Sequence, residues 1–171
     1  MMESITSNLD RRSKNTPGWG FIVLTMIVGF MLTAIPFPGW LETWRPSWIA
    51  LLIFYWGTMS PEKVGVVFGF VTGIFLDVFN GGILGEQALA LSMVSLVSAT
   101  YSKRFRIYPS FQQSLFVCLV FLIYVFFIRK IQNFDAPFVE GFSPFGEALS
   151  SALIWPWFSL ILNEMSRRFN S

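Results

Sequence analysis

The stretch GVVFGFVTGIFLDVFNGG, Gly65 to Gly82, decides the fold. Most of it reads as a membrane-spanning helix, yet the carboxylate of Asp77 falls within the apolar run. Gly65, Gly69, Gly73, Asp77 and Gly81 are spaced by four. A step of four in an α-helix turns about 400°, so these positions form one slowly rotating stripe with little side-chain bulk. Such a stripe lets a second helix approach closely. Packing against another span of the same chain is preferred over an intermolecular face, because the chain has five further apolar segments to bury.

Asp77 on that stripe points toward protein rather than lipid, since an isolated carboxylate in hydrocarbon costs several kcal/mol. Glu86 lies just across the Asn80-Gly81-Gly82 turn. Two readings follow. In one, Asp77 is a buried polar anchor that accepts hydrogen bonds from free backbone amides near the turn, while Glu86 occupies a wet helix N-terminus. In the other, the two carboxyls border an outward-facing cavity for a ligand, a cation or a partner's basic residue.

The rest of the chain supports a membrane setting. Of 171 residues, 54% are hydrophobic, 18% aromatic and only 13% charged. The charged share is about half that of a soluble domain. Spans are expected at about Trp19–Ile35, between Pro46 and Pro61, and at about Val64–Phe79, Leu84–Tyr101, Phe111–Ile128 and Glu147–Asn163, the last kinked at Pro156. The second is short, because fourteen residues reach only about 21 Å against a hydrocarbon core of about 30 Å. Residues 1–16 read as a disordered tail, 17–168 as the transmembrane domain and 169–171 as the C-terminal end.

Charge distribution sets the topology. With six spans and both termini cytoplasmic, Arg11, Arg12, Lys14, Lys63, Lys103, Arg104, Arg106, Arg167 and Arg168 lie inside. Only Arg45, Arg129 and Lys130 lie outside, as the positive-inside rule requires. Trp40, Trp44 and Trp48 cluster at the outer interface, where amphipathic rings are favoured. The expected fold class is therefore an all-α polytopic integral membrane protein with six transmembrane helices.

Several functions lack residues to perform them. Histidine is absent and the single cysteine, Cys118, lies in an apolar run, so neither a metal site nor a disulfide is expected. No nucleophile, base and orienting group are spaced for catalysis, so no enzyme and no cofactor is expected. Positive-inside anchoring accounts for the basic clusters, leaving no nucleic-acid footprint.

Three motifs then carry a resemblance. Arg45-Pro46-Ser47-Trp48 precedes IALLIFYW; GFVTGIFLDVFNGGILGEQAL spans Asp77, Gly82 and Gly85; and FRIYPSFQQSLFV holds Pro109, Gln112 and Gln113. In this order they resemble the bacterial rod shape-determining MreD family, over about Trp19 to Arg168. The Glu86-Gln87 pair departs from that pattern. The resemblance implies a multi-pass protein of the inner membrane of a Gram-negative rod. It implies a non-catalytic scaffold of the peptidoglycan elongation machinery that binds MreC, beside MreB, wall synthases and membrane lipids. It also implies a fold similar to the six-helix substrate-binding subunits of vitamin transporters. The alternative is a ligand-binding or transport subunit using the outward cavity near Asp77 and Glu86.

The topology is testable with single cysteines on a Cys118→Ser background. An impermeant thiol reagent added to spheroplasts is expected to label a cysteine placed between Asp135 and Ser143, but not one beside Lys103. Labelling beside Lys103 overturns six spans.

Overall fold

In a computed structural model of the chain, residues 18–36, 38, 46–81, 84–105, 109–132 and 143–169 are described. Among them are six α-helices and no strand: α1 Trp19–Ala34, α2 Trp48–Met59, α3 Val66–Asn80, α4 Glu86–Phe105, α5 Ser110–Gln132 and α6 Ser143–Phe169. Helix α4 thus begins two residues after the expected Leu84, because Gly85 adopts φ +103° and cannot continue a right-handed helix. Helix α6 starts before Glu147 and runs unbroken through Pro156 to Phe169.

The six helices alternate in direction. Thr33 near the end of α1, Ser47 before α2, Asn80 at the end of α3, Gln87 at the start of α4, Tyr124 in the second half of α5 and Glu147 near the start of α6 line one recess. Both Trp19 and Phe169 therefore lie toward the opposite end of the bundle. Lys63, Lys103, Arg104 and Arg168 also belong to that end, whereas Arg129 and Lys130 fall at the recess end.

Helix α2 is the buried centre. Ten of its twelve residues, Ile49 to Thr58, are buried, and it packs on α1, α4 and α6. At about 1.5 Å per residue it is about 18 Å long, the shortest of the six. Its flanking prolines, Pro46 and Pro61, restrict extension at either end. The other five helices all carry exposed large apolar side chains, among them Met31, Val67, Leu96, Leu115 and Leu153. A solvated surface does not carry apolar area on this scale, whereas a lipid-facing one requires it. Among the described residues, Gln112–Ile131 is the one helix segment long and apolar enough by length and composition to cross a membrane, while α1, α2 and α3 are shorter apolar helices.

Two kinds of contact join the helices. Toward the end opposite the recess, aromatic rings interlock: Phe54 of α2 meets Trp155 of α6 at 5.2 Å and Phe105 of α4 at 5.3 Å, both edge to face. Phe116 of α5 closes the cluster on Phe105 at 5.8 Å. Edge-to-face pairs add about 0.5–1.5 kcal/mol each beyond burial. Elsewhere small residues permit close approach. A Cβ on Gly69 would stand 2.8 Å from the Leu91 carbonyl oxygen, and one on Gly73 would stand 2.6 Å from the Ala88 nitrogen. A Cβ on Gly57 would meet the Ser98 Cβ at 2.9 Å. Helix α4 supplies the complementary face with Ala88, Leu91, Ser95, Ser98 and Ser102, all buried at alternating steps of three and four.

Backbone atoms cannot yield as a flexible side chain can, so Gly73→Ala is expected to destabilise the bundle by about 1–3 kcal/mol. Gly69→Ala should behave alike. Gly20→Ala, with nothing within 4 Å of the added carbon, should be neutral or stabilising. Thermal unfolding of the three detergent-solubilised variants checks the ranking, and equal stability of Gly73→Ala and Gly20→Ala refutes it.

Candidate functional site: a capped helix beside a polar recess

The site is built from the turn that joins α3 to α4. Helix α3 ends with Gly81 at φ +65°, whose N–H donates to the Asp77 carbonyl, a left-handed C-cap. The next helix begins at Gly85, whose carbonyl accepts the Leu89 N–H at 2.9 Å. Gly85 therefore occupies the N-cap position and has no side chain with which to cap. Asp77 performs that task from the preceding helix. Its Oδ2 accepts the N–H of Gly85 at 2.8 Å and of Ala88 at 3.4 Å, and its Oδ1 accepts the N–H of Gln87 at 2.9 Å. These are the donors that a helix start leaves without intrahelical partners. Asp77 is only 2% exposed.

Close approach is the condition for this cap. Gly73 lies one turn before Asp77 and abuts Ala88 and the Gln87 carbonyl. A side chain at Gly73 would push α4 away from the carboxylate. Of the other stripe residues, Gly65 is the N-cap of α3, with the nearest atom to an added Cβ at 3.9 Å, and Gly81 is the C-cap. Glu86 is buried in the first turn of α4, where the helix dipole favours a carboxylate. The wet setting considered for it from sequence is replaced by a buried one.

From the cap, polar contacts run into the recess. Gln87 accepts the Tyr124 hydroxyl on its Oε1 at 2.7 Å, linking α4 to α5. The Ser47 hydroxyl is also within hydrogen-bonding reach of Tyr124. It donates to Glu147 Oε1, linking α2 to α6. Glu147, Glu86 and Asp77 all lie near enough to Tyr124 to act on it electrostatically. The recess holds about 320 Å³, and Arg129 also lines it. No group of three His, Cys, Asp or Glu side chains is arranged to hold a metal among the described residues.

The remaining motif residues fall in separate places. Pro46 and Trp48 line the recess. Pro109 starts α5 at the opposite end, its carbonyl accepting the N–H groups of Gln112 and Gln113 at 2.9 and 3.1 Å. Gln113 also donates its side-chain N–H to the Phe105 carbonyl at 3.2 Å, tying α5 to the end of α4. Arg45 and Gly82 lie outside the described residues, as do Trp40 and Trp44. Sequence reasoning did not single out Ser47, Gln87, Tyr124 or Glu147 as one network. A polar residue set into each apolar helix end is the signal they share.

Lipid-exposed helices around a buried short helix, with polar groups gathered at one end, define an all-helical membrane protein. The family model described as rod shape-determining protein MreD matches residues 14–165. The chain belongs to this family. It is 28% identical to the rod shape-determining protein MreD of Haemophilus influenzae over 151 residues, covering 88% of this chain and 93% of that one. No solved structure matches the chain.

The capping geometry fixes an expected order of damage at Asp77. Asp77→Asn keeps one acceptor oxygen but turns an NH₂ group toward a backbone donor. Asp77→Leu leaves all three N–H groups without their carboxylate. A hydrogen bond to a charged group is worth about 1.5–3 kcal/mol, so Asn should be intermediate and Leu severe. Melting temperatures of the purified variants check this, and a Leu variant as stable as the parent chain refutes the cap.

Proposed function

We propose that the bundle is a non-catalytic scaffold of the peptidoglycan elongation machinery, which holds the single-span protein MreC and helps maintain rod shape. The observation that carries this reading is the use made of Asp77. The acidic side chain most deeply set in apolar helix α3 has both oxygens hydrogen-bonded to the backbone of α4. It braces the bundle rather than standing open for chemistry. Family membership over residues 14–165, nearly the whole helical region, supports a role in determining rod shape for the bundle as a unit.

The scaffold crosses the inner membrane six times, with both termini in the cytoplasm. The alternating direction of the six helices supports this, as do the basic residues at the end opposite the recess. Wall synthases and MreB then belong to the same assembly, with the lipid-exposed helix faces available to transmembrane partners.

Depletion of the protein is expected to turn rods into spheres, and tagged protein should co-purify MreC from solubilised membranes. Asp77→Leu at matched membrane level should lose both rod shape and MreC. Unchanged cell width on depletion overturns the role in shape. Rod shape kept without MreC capture overturns the scaffold reading alone.

A further inference from the structure

Apart from the recess, an apolar groove of about 200 Å³ runs between α4 and α5. Ala90 and Val94 of α4 and Val120 of α5 are buried and form its floor. Met93, Leu119 and Ile123, each more than half exposed, form its rims. From Ala90 to Tyr101 the α4 wall rises about 16 Å, close to the depth of one leaflet in a hydrocarbon core of about 30 Å. Spread over that length, the volume makes a slot far narrower than a helix, which is about 10–12 Å across with its side chains. The slot suits a single hydrocarbon chain.

Helical register carries the groove to a polar mouth. Ala90, Val94, Val97 and Tyr101 alternate in steps of four and three, and Arg104, three residues further, continues their face. On α5, Phe116, Val120, Ile123 and Phe127 alternate likewise, and Gln112, four residues before Phe116, continues that face. Arg104, its neighbour Lys103 and Gln112 are exposed. Between them the Tyr101 ring meets Phe116 at 5.4 Å, and an amphipathic ring of this kind favours the membrane interface. No acid on either helix offsets this charge, since α4 carries only Glu86, at its far end, and α5 carries none. The ion pair found among the described residues is Arg168–Glu164, so none engages Arg104. The other mouth is mixed in charge: Glu86 opens α4 there, and Lys130 has an interaction of its own.

We propose that this groove binds an anionic phospholipid, with one acyl chain laid along the floor from Tyr101 toward Ala90 and the phosphodiester at the mouth marked by Arg104. Arginine pairs well with phosphate, and basic residues between membrane helices select anionic headgroups. The floor accepts the chain of any lipid, so selection falls to the mouth. A phosphatidylethanolamine headgroup would bring its ammonium toward Lys103 and Arg104, whereas phosphatidylglycerol brings only negative charge. The flexible Met93 side chain on the rim adapts to the chain it covers. The site goes beyond the scaffold reading and does not depend on it.

The full chain, reconstituted in vesicles of equal phosphatidylethanolamine and phosphatidylglycerol, is extracted gently, and its bound lipid is read by native mass spectrometry. One phosphatidylglycerol per chain is expected, in preference to phosphatidylethanolamine. Arg104→Gln should lower its retention about fivefold, the worth of one basic residue near a headgroup. Arg168→Gln removes a basic residue that already pairs with Glu164 and should leave retention unchanged. Added glycerophosphoglycerol, which has the headgroup but no chain, should not displace the lipid. In cells, Leu119→benzoylphenylalanine should cross-link to lipid on illumination. Equal retention of the two lipids by the unaltered chain, equal effects of Arg104→Gln and Arg168→Gln, or displacement by the chainless ester overturns the site. A protein adduct at position 119 gives the groove to a partner helix and overturns it as well.

Discussion

The carboxylate of Asp77 on the start of α4 is the contact on which the bundle depends. A charged side chain costs about 2.5–3.5 kcal/mol at the centre of a membrane helix, an upper bound for Asp77 in the last turn of α3. Three bonds to backbone N–H groups, at about 1.5–3 kcal/mol each even before allowance for non-additivity, exceed that cost. The cap also explains why glycine recurs. Gly85 supplies the positive φ that ends the turn and so forfeits a capping side chain. Gly73 removes the bulk that would hold α4 beyond the reach of Asp77. The glycine spacing and the buried acid are therefore two parts of one device, and neither works alone.

With α4 fixed on α3, its remaining faces position the other helices. Ser98 gives α2 a surface with little bulk, against which Gly57 of α2 lies directly, while Ser95 meets Gly69 of α3. Phe105 then brings α4 into the ring cluster of Phe54, Phe116 and Trp155. Helix α1 is tied differently, by the Trp56 indole N–H donating to the Thr25 hydroxyl at 3.0 Å. In hydrocarbon, apolar contact between helices gains little over contact with lipid, so close packing and hydrogen bonds must supply the specificity. The bundle uses glycine and serine for the first and Asp77, Trp56, Tyr124 and Ser47 for the second.

Local signals were legible in the sequence, and long-range ones were not. Helix existence followed from apolar runs, and the close approach at Gly69 and Gly73 followed from their spacing. The start of α6 before Glu147 was missed because Ser143 and Pro144 read as loop, although proline is well tolerated in a first helical turn. The serine face of α4 was missed because hydropathy marks serine as polar wherever it points. In a membrane bundle a serine satisfies itself on its own helix, as Ser98 does on the Ser95 carbonyl, and then behaves as a small packing residue. The recess was legible only in outline. Tyr124 and Gln87 are 37 positions apart, and Ser47 and Glu147 are 100 apart, so no spacing rule joins them. Asp77 and Glu86 drew the eye because charge is rare in such helices, while the recess wall is built from neutral side chains as much as from charged ones.

The contrast between the two ends of the bundle follows from the length of α2. Helix axes of unequal length cannot all end at one level. Where α2 stops short, its neighbours continue and enclose a space above its first turn. The polar side chains of Ser47, Gln87, Tyr124 and Glu147 gather at that space, and an apolar plug would cost about 1–3 kcal/mol for each polar group it left unsatisfied. At the aromatic end the carbonyl of Phe105, last residue of α4, is taken by the Gln113 side-chain N–H at 3.2 Å. Rings fill one end, while Ser47, Gln87, Tyr124 and Glu147 make the other polar. A central helix shorter than the hydrocarbon core is thick thus ends beneath a recess, and the groups at its rim decide what can enter.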